Sequence, residues 1–176
     1  MTQPLSFTTH ACPFGTLLIV GGARGVRYLT LLAKTEEAAT HLARVFGAEE
    51  AGKMLDLPGF FDTSLAAIDA YLTTGAPLKL PYALDSGTAL QRAVWLAIAK
   101  IPYGETISYT TLAERVGFPR AVRAVASACG ANPVPLIIPC HRVLAKDGAL
   151  GGFSFGGPEV KERLLALESQ KRQMAA

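Results

Sequence analysis

The chain contains little cysteine, with only Cys12, Cys129 and Cys140 among 176 residues. An odd number at irregular spacing does not suit a disulfide framework and fits a reducing compartment, so at least one thiol is predicted to be free. No run approaches the roughly 18 consecutive apolar residues that a membrane span needs. Residues 1–13 also lack the basic start and apolar centre of a signal peptide. These absences predict a cytoplasmic protein without a membrane anchor.

Charge is also scarce, since 18% of the residues are charged and 50% are hydrophobic. This composition suits a buried core in one large domain or two small ones. The charges are unevenly divided: residues 1–85 carry 6 basic and 8 acidic side chains, and residues 86–176 carry 11 and 6. The basic second half suggests a polyanionic partner such as nucleic acid, although a solvated basic surface has the same composition.

The N-terminal half, residues 1–85, has the pattern of a small α/β domain. Two apolar, β-branched runs separated by glycines within residues 15–31 predict a β-hairpin, and residues 6–10 suit a third strand. Helices are predicted over residues 36–46 and 63–73, where apolar residues recur at helical spacing. Glycine and prolines then interrupt regular structure, which places the domain boundary near residue 85.

The C-terminal half, residues 86–176, is predicted to be helical, beginning with a helix over residues 89–100 that carries an apolar stripe. Two shorter helices follow, over residues 108–116 and 120–130. A Gly-Phe-Pro break separates these two helices, which is the pattern of a helix-turn-helix.

Cys140 lies in the run Pro139-Cys140-His141-Arg142, after the apolar residues 136–138, which are predicted to form an extended run that stays extended at its end because Ile138 precedes a proline. A free thiol is mostly protonated at neutral pH, so a reactive cysteine needs a neighbouring base or positive charge. Adjacent residues of an extended chain point to opposite sides, so we expect His141 to reach the sulfur through a water or a local bend. The residues alone leave open that Cys140 is a small buried apolar residue and His141 a surface imidazole.

The run Pro139 to Val143 after Ile137-Ile138 resembles the active-site motif of the O6-alkylguanine-DNA alkyltransferases. That resemblance implies an α+β fold, with a small N-terminal antiparallel sheet with helices, ribonuclease-H-like, and an all-helical, winged helix-turn-helix-like C-terminal domain. Other segments similar to this family, in order and spacing, are Val94-Trp95, Ile101 to Thr106, Ser108-Tyr109, Leu112-Ala113, Ala121 to Val125, Asn132-Pro133 and Lys161 to Glu168.

The resemblance implies repair of DNA by direct, stoichiometric transfer of a methyl or other alkyl group from O6-alkylguanine to Cys140. O4-Methylthymine is a further candidate substrate. A thioether has no easy exit, so each molecule is expected to act once and to need no cofactor. The implied partner is double-stranded DNA, bound through the minor groove by a monomer that rotates the damaged nucleotide out of the stack. No metal site is predicted, because His10, Cys12 and His41 give no recognisable four-ligand pattern.

The resemblance also implies roles for individual residues around the thiol. His141 activates Cys140 through a water and is oriented by Glu168, which is the logic of a catalytic triad with sulfur as the nucleophile. Asn132 ties the helix-turn-helix to the active-site segment through backbone hydrogen bonds. Tyr109 supports the rotated nucleotide and donates a hydrogen bond to the purine ring, so it is the general-acid candidate.

The base pocket is expected to include main-chain carbonyls and the loop after residue 150. The carbonyls of Cys140 and Val143 are expected to accept hydrogen bonds from the guanine amine, and Ser154 is expected to contact O6. Two features depart from the family pattern. Phe153 stands where many members have tyrosine, and one extra residue separates Phe153 from Lys161.

The second helix of the predicted pair has an arginine face. Arg120, Arg123, Ser127 and Gly130 share one side at helical spacing. An arginine flanked by small residues suits a narrow groove, and the resemblance implies that Arg123 fills the space left by the rotated base, with Ala124 and Ser127 beside it on the DNA. Without the resemblance, a solvent-facing arginine on an amphipathic helix is the simpler interpretation.

The sequence is compatible with two other functions. A damage-sensing relative would bind the lesion without transferring the alkyl group, but such proteins lack the cysteine found here at position 140. A transcription regulator with a redox-sensing thiol would need base-reading side chains on its second helix and a resolving cysteine, for which Cys129 is the nearby candidate.

Overall fold

The structure, a computed structural model, describes residues 5–175. Its N-terminal half contains a four-stranded sheet in which residues 25–31, 15–22, 6–12 and 55–56 lie side by side in that order. The strands are β1 (Ser6–Cys12), β2 (Gly15–Gly22), β3 (Gly25–Leu31) and β4 (Leu55–Asp56), and the helices are α1 (Ala38–Phe46), α2 (Ala48–Ala51) and α3 (Asp62–Thr74), with a 3-10 turn at Pro58–Phe61.

The predicted hairpin and its third strand are confirmed as the antiparallel strands β1, β2 and β3. The prediction of an antiparallel sheet is wrong for β4, which pairs with β1 in parallel, so the sheet is mixed. Both residues of β4 are exposed. An exposed two-residue strand leaves no alternating apolar pattern, which is why the sequence does not reveal it.

Strand β2 lies at the centre of the N-terminal half and is buried on both faces. Leu17 and Ile19 pack on the side of α3, whereas Leu18 and Val20 pack on the side of α1. Successive side chains of a strand point to opposite faces, so helices on both sides turn an alternating pattern into one continuous apolar run. The sheet is therefore held between helices, and α3 lies on the side that faces the rest of the chain.

The C-terminal half contains α4 (Ala89–Ile98), α5 (Tyr109–Arg115), α6 (Val122–Gly130) and α7 (Gly157–Ala175), with a 3-10 turn at Cys140–Arg142. Helix α4 begins at a capping box, in which the Thr88 hydroxyl accepts from the main chain of Gln91 and the Gln91 side chain accepts from the Thr88 main chain. Helices α5 and α6 form the predicted helix-turn-helix, but α6 begins two residues later than expected. Arg120 consequently lies in the turn before α6.

The expectation of an all-helical C-terminal half is wrong at one place. Strand β5 (Ile107–Ser108) pairs in parallel with β6 (Val143–Leu144). The pairing of Ile107 with Val143 ties the start of the helix-turn-helix to the segment directly after Cys140. Two-residue strands are too short to show a period in the sequence.

The segment between the halves, residues 75–88, has no helix or strand but packs along β3. Val26 donates its main-chain N–H to Pro81 and accepts from Ala83, at 2.9 Å each. Gly25 makes this approach possible, because a Cβ there would lie 2.3 Å from the Pro81 carbonyl oxygen. One hydrophobic core runs from β2 and α3 into α4 and α6. Within residues 5–175, no helix combines the length and apolar character needed to cross a membrane.

Candidate active site

The segment that leads to Cys140 is a buried turn, and the prediction of an extended run through residues 136–138 is wrong. Ile138 donates its main-chain N–H to the carbonyl of Val134 at 3.0 Å, and Leu136 has a φ of 71°. The Asn132 side chain lies inside this turn, where it donates to the Ile138 carbonyl at 2.8 Å and accepts from the Val134 N–H at 3.1 Å. Hydrogen bonds from one asparagine thus replace those that a neighbouring strand would make.

The same asparagine contacts the thiol. Its Nδ2 donates to Cys140 Sγ at 3.1 Å, and the cysteine is only 3% exposed. Burial raises the pKa of Cys140 to about 11, although the Asn132 hydrogen bond and the positive charge of Lys161 both favour the thiolate and oppose this shift. The resting thiol is therefore protonated at neutral pH, and its proton has to move when the sulfur reacts.

His141 is fully buried and has one occupied and one unoccupied ring nitrogen. Its Nε2 lies 2.9 Å from Glu168 Oε1 and 3.1 Å from the Tyr71 hydroxyl. Within residues 5–175, His141 Nδ1 is the buried side-chain nitrogen or oxygen that has no hydrogen-bond partner. A carboxylate beside Nε2 fixes the proton on that atom, so Nδ1 is left as a lone-pair acceptor one residue from the thiol.

Glu168 is 1% exposed and is surrounded by donors. Arg142 donates to both carboxylate oxygens at 2.9 Å, and the main-chain N–H of Gly104 donates at 3.0 Å. Burial alone would raise the pKa of Glu168, but the hydrogen bonds from His141 and Arg142 outweigh it and hold the pKa at about 2. Burial lowers the pKa of His141 despite the opposing effect of the carboxylate. The resting pair is therefore an ionised glutamate and a neutral imidazole.

A cavity of about 530 Å³ opens beside the thiol, which is within the range of small-molecule sites. The lining combines two thiols, those of Cys129 and Cys140, with a phenol and several glycines. Burial raises the pKa of the Tyr109 hydroxyl to about 12, so it remains a proton donor at neutral pH. The residues that line the cavity are Tyr109, Ala126, Cys129, Gly130, Cys140, Gly151, Gly152, Phe153 and Ser154.

Three expected pocket contacts are less accessible to a ligand in the cavity. Val143 is fully buried outside the cavity lining, and its carbonyl accepts from Lys161 Nζ at 2.7 Å. The Cys140 carbonyl already accepts from the Val143 main chain. Ser154 lies in an exposed turn at the rim of the cavity. The Phe153 ring stands edge-on to His141 at 6.3 Å between ring centroids, so it supplies packing in the place of a hydroxyl.

The predicted DNA face of α6 borders the cavity. Arg123, Ala124 and Ser127 are exposed, whereas Ala126 and Gly130, on the adjoining side of the same helix, line the cavity. On the buried side of helix α6, the Trp95 indole N–H donates to the Ala128 carbonyl at 2.8 Å. A ligand lying along the exposed face of α6 could therefore insert a group into the cavity.

Sequence reasoning missed three contributors to this site. Tyr71 of α3 contacts both His141 and Glu168, Gly104 donates to Glu168, and Lys161 ties the Val143 carbonyl to that of Leu150. Only Lys161 has a signal in the sequence. It lies one turn before the buried Leu164 and two turns before Glu168, so two charged residues share the apolar face of α7.

The histidines considered as metal ligands have other partners. His10 contacts Asp69 at 2.8 Å, and His41 contacts Tyr28 at 2.9 Å and Glu36 at 3.0 Å. Across residues 5–175, no group of three or more histidine, cysteine, aspartate or glutamate side chains is placed to hold a metal ion.

A helix-turn-helix lies beside a cavity that contains a buried thiol, and this half of the chain matches a family of DNA methyltransferases. The family model described as 6-O-methylguanine DNA methyltransferase, DNA binding domain, matches residues 89–170. The chain belongs to the methylated-DNA–protein-cysteine methyltransferase family, also called the O6-alkylguanine alkyltransferases. This family repairs O6-methylguanine in DNA by transferring the methyl group to a cysteine.

The similarity extends over almost the whole chain. A methylated-DNA–protein-cysteine methyltransferase of Methanosarcina barkeri is 38% identical, covering 89% of this chain and 92% of the relative. The crystal structure of Mycobacterium tuberculosis OGT in complex with DNA is similar with a TM-score of 0.79 and 33% identity, covering 94% of both chains. The regulatory protein Ada of Salmonella typhimurium is 50% identical over 106 residues, but the chain spans only 30% of that protein's length.

Proposed function

We propose that Cys140 is the acceptor of the alkyl group and that each molecule acts once on O6-alkylguanine in duplex DNA. The observation that carries the proposal is the position of the thiol. Cys140 lines the cavity, accepts a hydrogen bond from Asn132 and is followed by an imidazole whose Nδ1 is unoccupied. The site therefore contains a nucleophile in Cys140, a base in His141 and, in Glu168, a group that orients the base.

The reaction is an in-line displacement at the alkyl carbon. As the sulfur–carbon bond forms, the bond between O6 and that carbon breaks, and its electron pair passes to the purine. The proton of the Cys140 thiol goes to His141 Nδ1, directly or through a water, and the ionised Glu168 stabilises the imidazolium. Tyr109 passes its proton to the ring of the departing guanine, which is a poor leaving group as an anion, and the proton held by His141 then restores the phenol through solvent. A thioether and an unmodified guanine result.

DNA binding is proposed for the exposed face of α6. Arg123 with its small neighbours Ala124 and Ser127 suits the minor groove, and the adjoining cavity would receive the rotated base. This arrangement lets one helix hold the duplex and border the reaction site. The exposed turn at Ser154 lies at the cavity rim, where groups larger than methyl would extend, and O4-methylthymine is a smaller candidate for the same cavity.

Intact-protein mass spectrometry tests the acceptor. After incubation with an excess of duplex oligonucleotide carrying O6-methylguanine, the wild-type protein should gain one CH2 unit and no more. Cys140→Ser should gain nothing, whereas Cys12→Ser, which changes a thiol of β1 outside the cavity, should behave as wild type. Peptide mapping should locate the added group on Cys140. A wild-type mass that does not change, or a group located on Cys129, would contradict the proposal.

A further inference from the structure

The N-terminal half contributes a side chain to the reaction site through Tyr71 of helix α3. The ring is 1% exposed and its hydroxyl crosses to the C-terminal half, where it donates to Glu168 Oε1 at 2.8 Å and lies 3.1 Å from His141 Nε2. The match to the family model begins at residue 89, so Tyr71 lies outside it. The contact therefore joins the sheet-bearing half to the pair that handles the proton.

The hydrogen-bond directions define what this hydroxyl does. Its O–H donates to the carboxylate, so its lone pairs are left facing the Nε2–H of the imidazole. Oε1 of Glu168 and the Tyr71 oxygen together accept this N–H from two directions. Burial and the nearby Glu168 raise the pKa of Tyr71, so the hydroxyl stays protonated and remains a donor. An imidazole whose Nε2–H is bound by two acceptors keeps its Nδ1 lone pair directed away from the carboxylate.

We propose, on the basis of the function proposed above, that Tyr71 is a positioning residue for alkyl transfer that fixes the His141–Glu168 pair. It acts through that pair and does not touch the substrate. The hydroxyl orients the imidazole before the thiol proton arrives and stabilises the carboxylate that balances the imidazolium afterwards. Helix α3 thus serves the reaction as well as the packing of the fold.

The chain offers a matched control across the same junction. The Tyr103 hydroxyl also donates a hydrogen bond from one half to the other, but its acceptor is the main-chain carbonyl of Gly75 at the end of α3. Its ring packs 5.4 Å from the Arg142 guanidinium, and phenylalanine keeps that ring. Tyr71→Phe and Tyr103→Phe therefore each delete one hydroxyl that joins α3 to the C-terminal half, and only the first touches the His141–Glu168 pair.

Single-turnover kinetics with saturating protein should separate transfer from binding. We expect Tyr71→Phe to slow transfer about tenfold, the effect of losing one hydrogen bond to a charged group, with an unchanged Kd for DNA. Tyr103→Phe should transfer at the wild-type rate. Equal slowing in both variants, or wild-type transfer by Tyr71→Phe, would overturn the proposal. Thermal unfolding of both variants identifies any slowing that is caused by loss of the fold.

A second measurement does not depend on transfer. The chain has three histidines, so the nitrogen-bound proton and nitrogen resonances of His141 can be assigned by comparison with His141→Gln. These resonances should shift in Tyr71→Phe and stay unchanged in Tyr103→Phe. Resonances that do not respond to loss of the Tyr71 hydroxyl would refute positioning. If the wild type failed to transfer, the proposed function would fail while the resonances still tested Tyr71.

Discussion

Replacement of Glu168 by glutamine provides the strongest test of the buried charge network. The carboxylate accepts from five donor groups: Tyr71 and His141 at Oε1, Gly104 at Oε2, and two nitrogens of Arg142, one at each oxygen. A glutamine keeps one oxygen and places an NH2 group where the other was. The amide nitrogen fits worst at Oε1, so it would occupy the Oε2 position and face the donors of Arg142 and Gly104.

The loss of stability that we expect follows from the groups that the substitution leaves without a partner. Removing one member of a buried ion pair costs roughly 3–5 kcal/mol, because the remaining charge is uncompensated. Arg142 is that charge here, with a side chain only 11% exposed. We expect Glu168→Gln to lower the free energy of unfolding by about 3–5 kcal/mol at neutral pH, measured by urea titration. Glu162→Gln, an exposed position on the same helix, should change it by less than about 0.5 kcal/mol.

The pH dependence of the free energy of unfolding gives an independent check that the ionised Glu168 stabilises the fold. The folded pKa of Glu168, about 2, lies below its ordinary value of 4.5. Its ionisation therefore contributes stability that is complete above the unfolded pKa and is lost as the pH falls toward the folded pKa. Between pH 7 and pH 3 this contribution should fall by about 2 kcal/mol in the wild type and not in Glu168→Gln. A gap between the two proteins that does not narrow with falling pH would refute the reasoning.

Two further changes test other parts of the site. Arg123→Ala should slow transfer from duplex DNA about tenfold or more, because stabilisation of the rotated state is lost. It should leave transfer from a single-stranded oligonucleotide unchanged, and equal slowing on both substrates in a rapid-quench assay would contradict the assigned role. Asn132→Ala removes a hydrogen bond that favours the thiolate, so the pKa of Cys140 should rise and the pH–rate curve of transfer should move to higher pH. An unshifted curve would show that Asn132 acts only through the turn.

The sequence predicted which residues lie together better than it predicted their surroundings. Cys140, His141, Glu168 and Asn132 are grouped because a short motif and its neighbours resemble a known family, and the structure brings all four together. The turn before the thiol could not be predicted. The rule that a residue before proline is extended concerns Ile138 alone, whereas the chain reverses earlier, at Leu136.

The contacts between the halves are what the sequence reveals least, for a physical reason. Tyr71 follows the apolar pattern of α3, and that pattern predicts burial but not the partner of a hydroxyl. The sequence separation from Tyr71 to Glu168 is 97 residues. Only the packing of α3 against α7 brings the two together. Lys161 illustrates the same limit, because its place on an apolar face indicates burial, while its acceptors, the carbonyls of Val143 and Leu150, depend on how the loop folds.

The buried, protonated thiol fits the proposal that each molecule reacts once. With a pKa of about 11, forming the Cys140 thiolate at pH 7 costs about 5 kcal/mol. That cost keeps the sulfur unreactive toward other electrophiles and oxidants, since the thiolate is the reactive form. It also requires proton removal to accompany the formation of the sulfur–carbon bond. In the proposed mechanism the neutral His141, with Nδ1 free and Nε2 held by Glu168 and Tyr71, is the base that receives that proton.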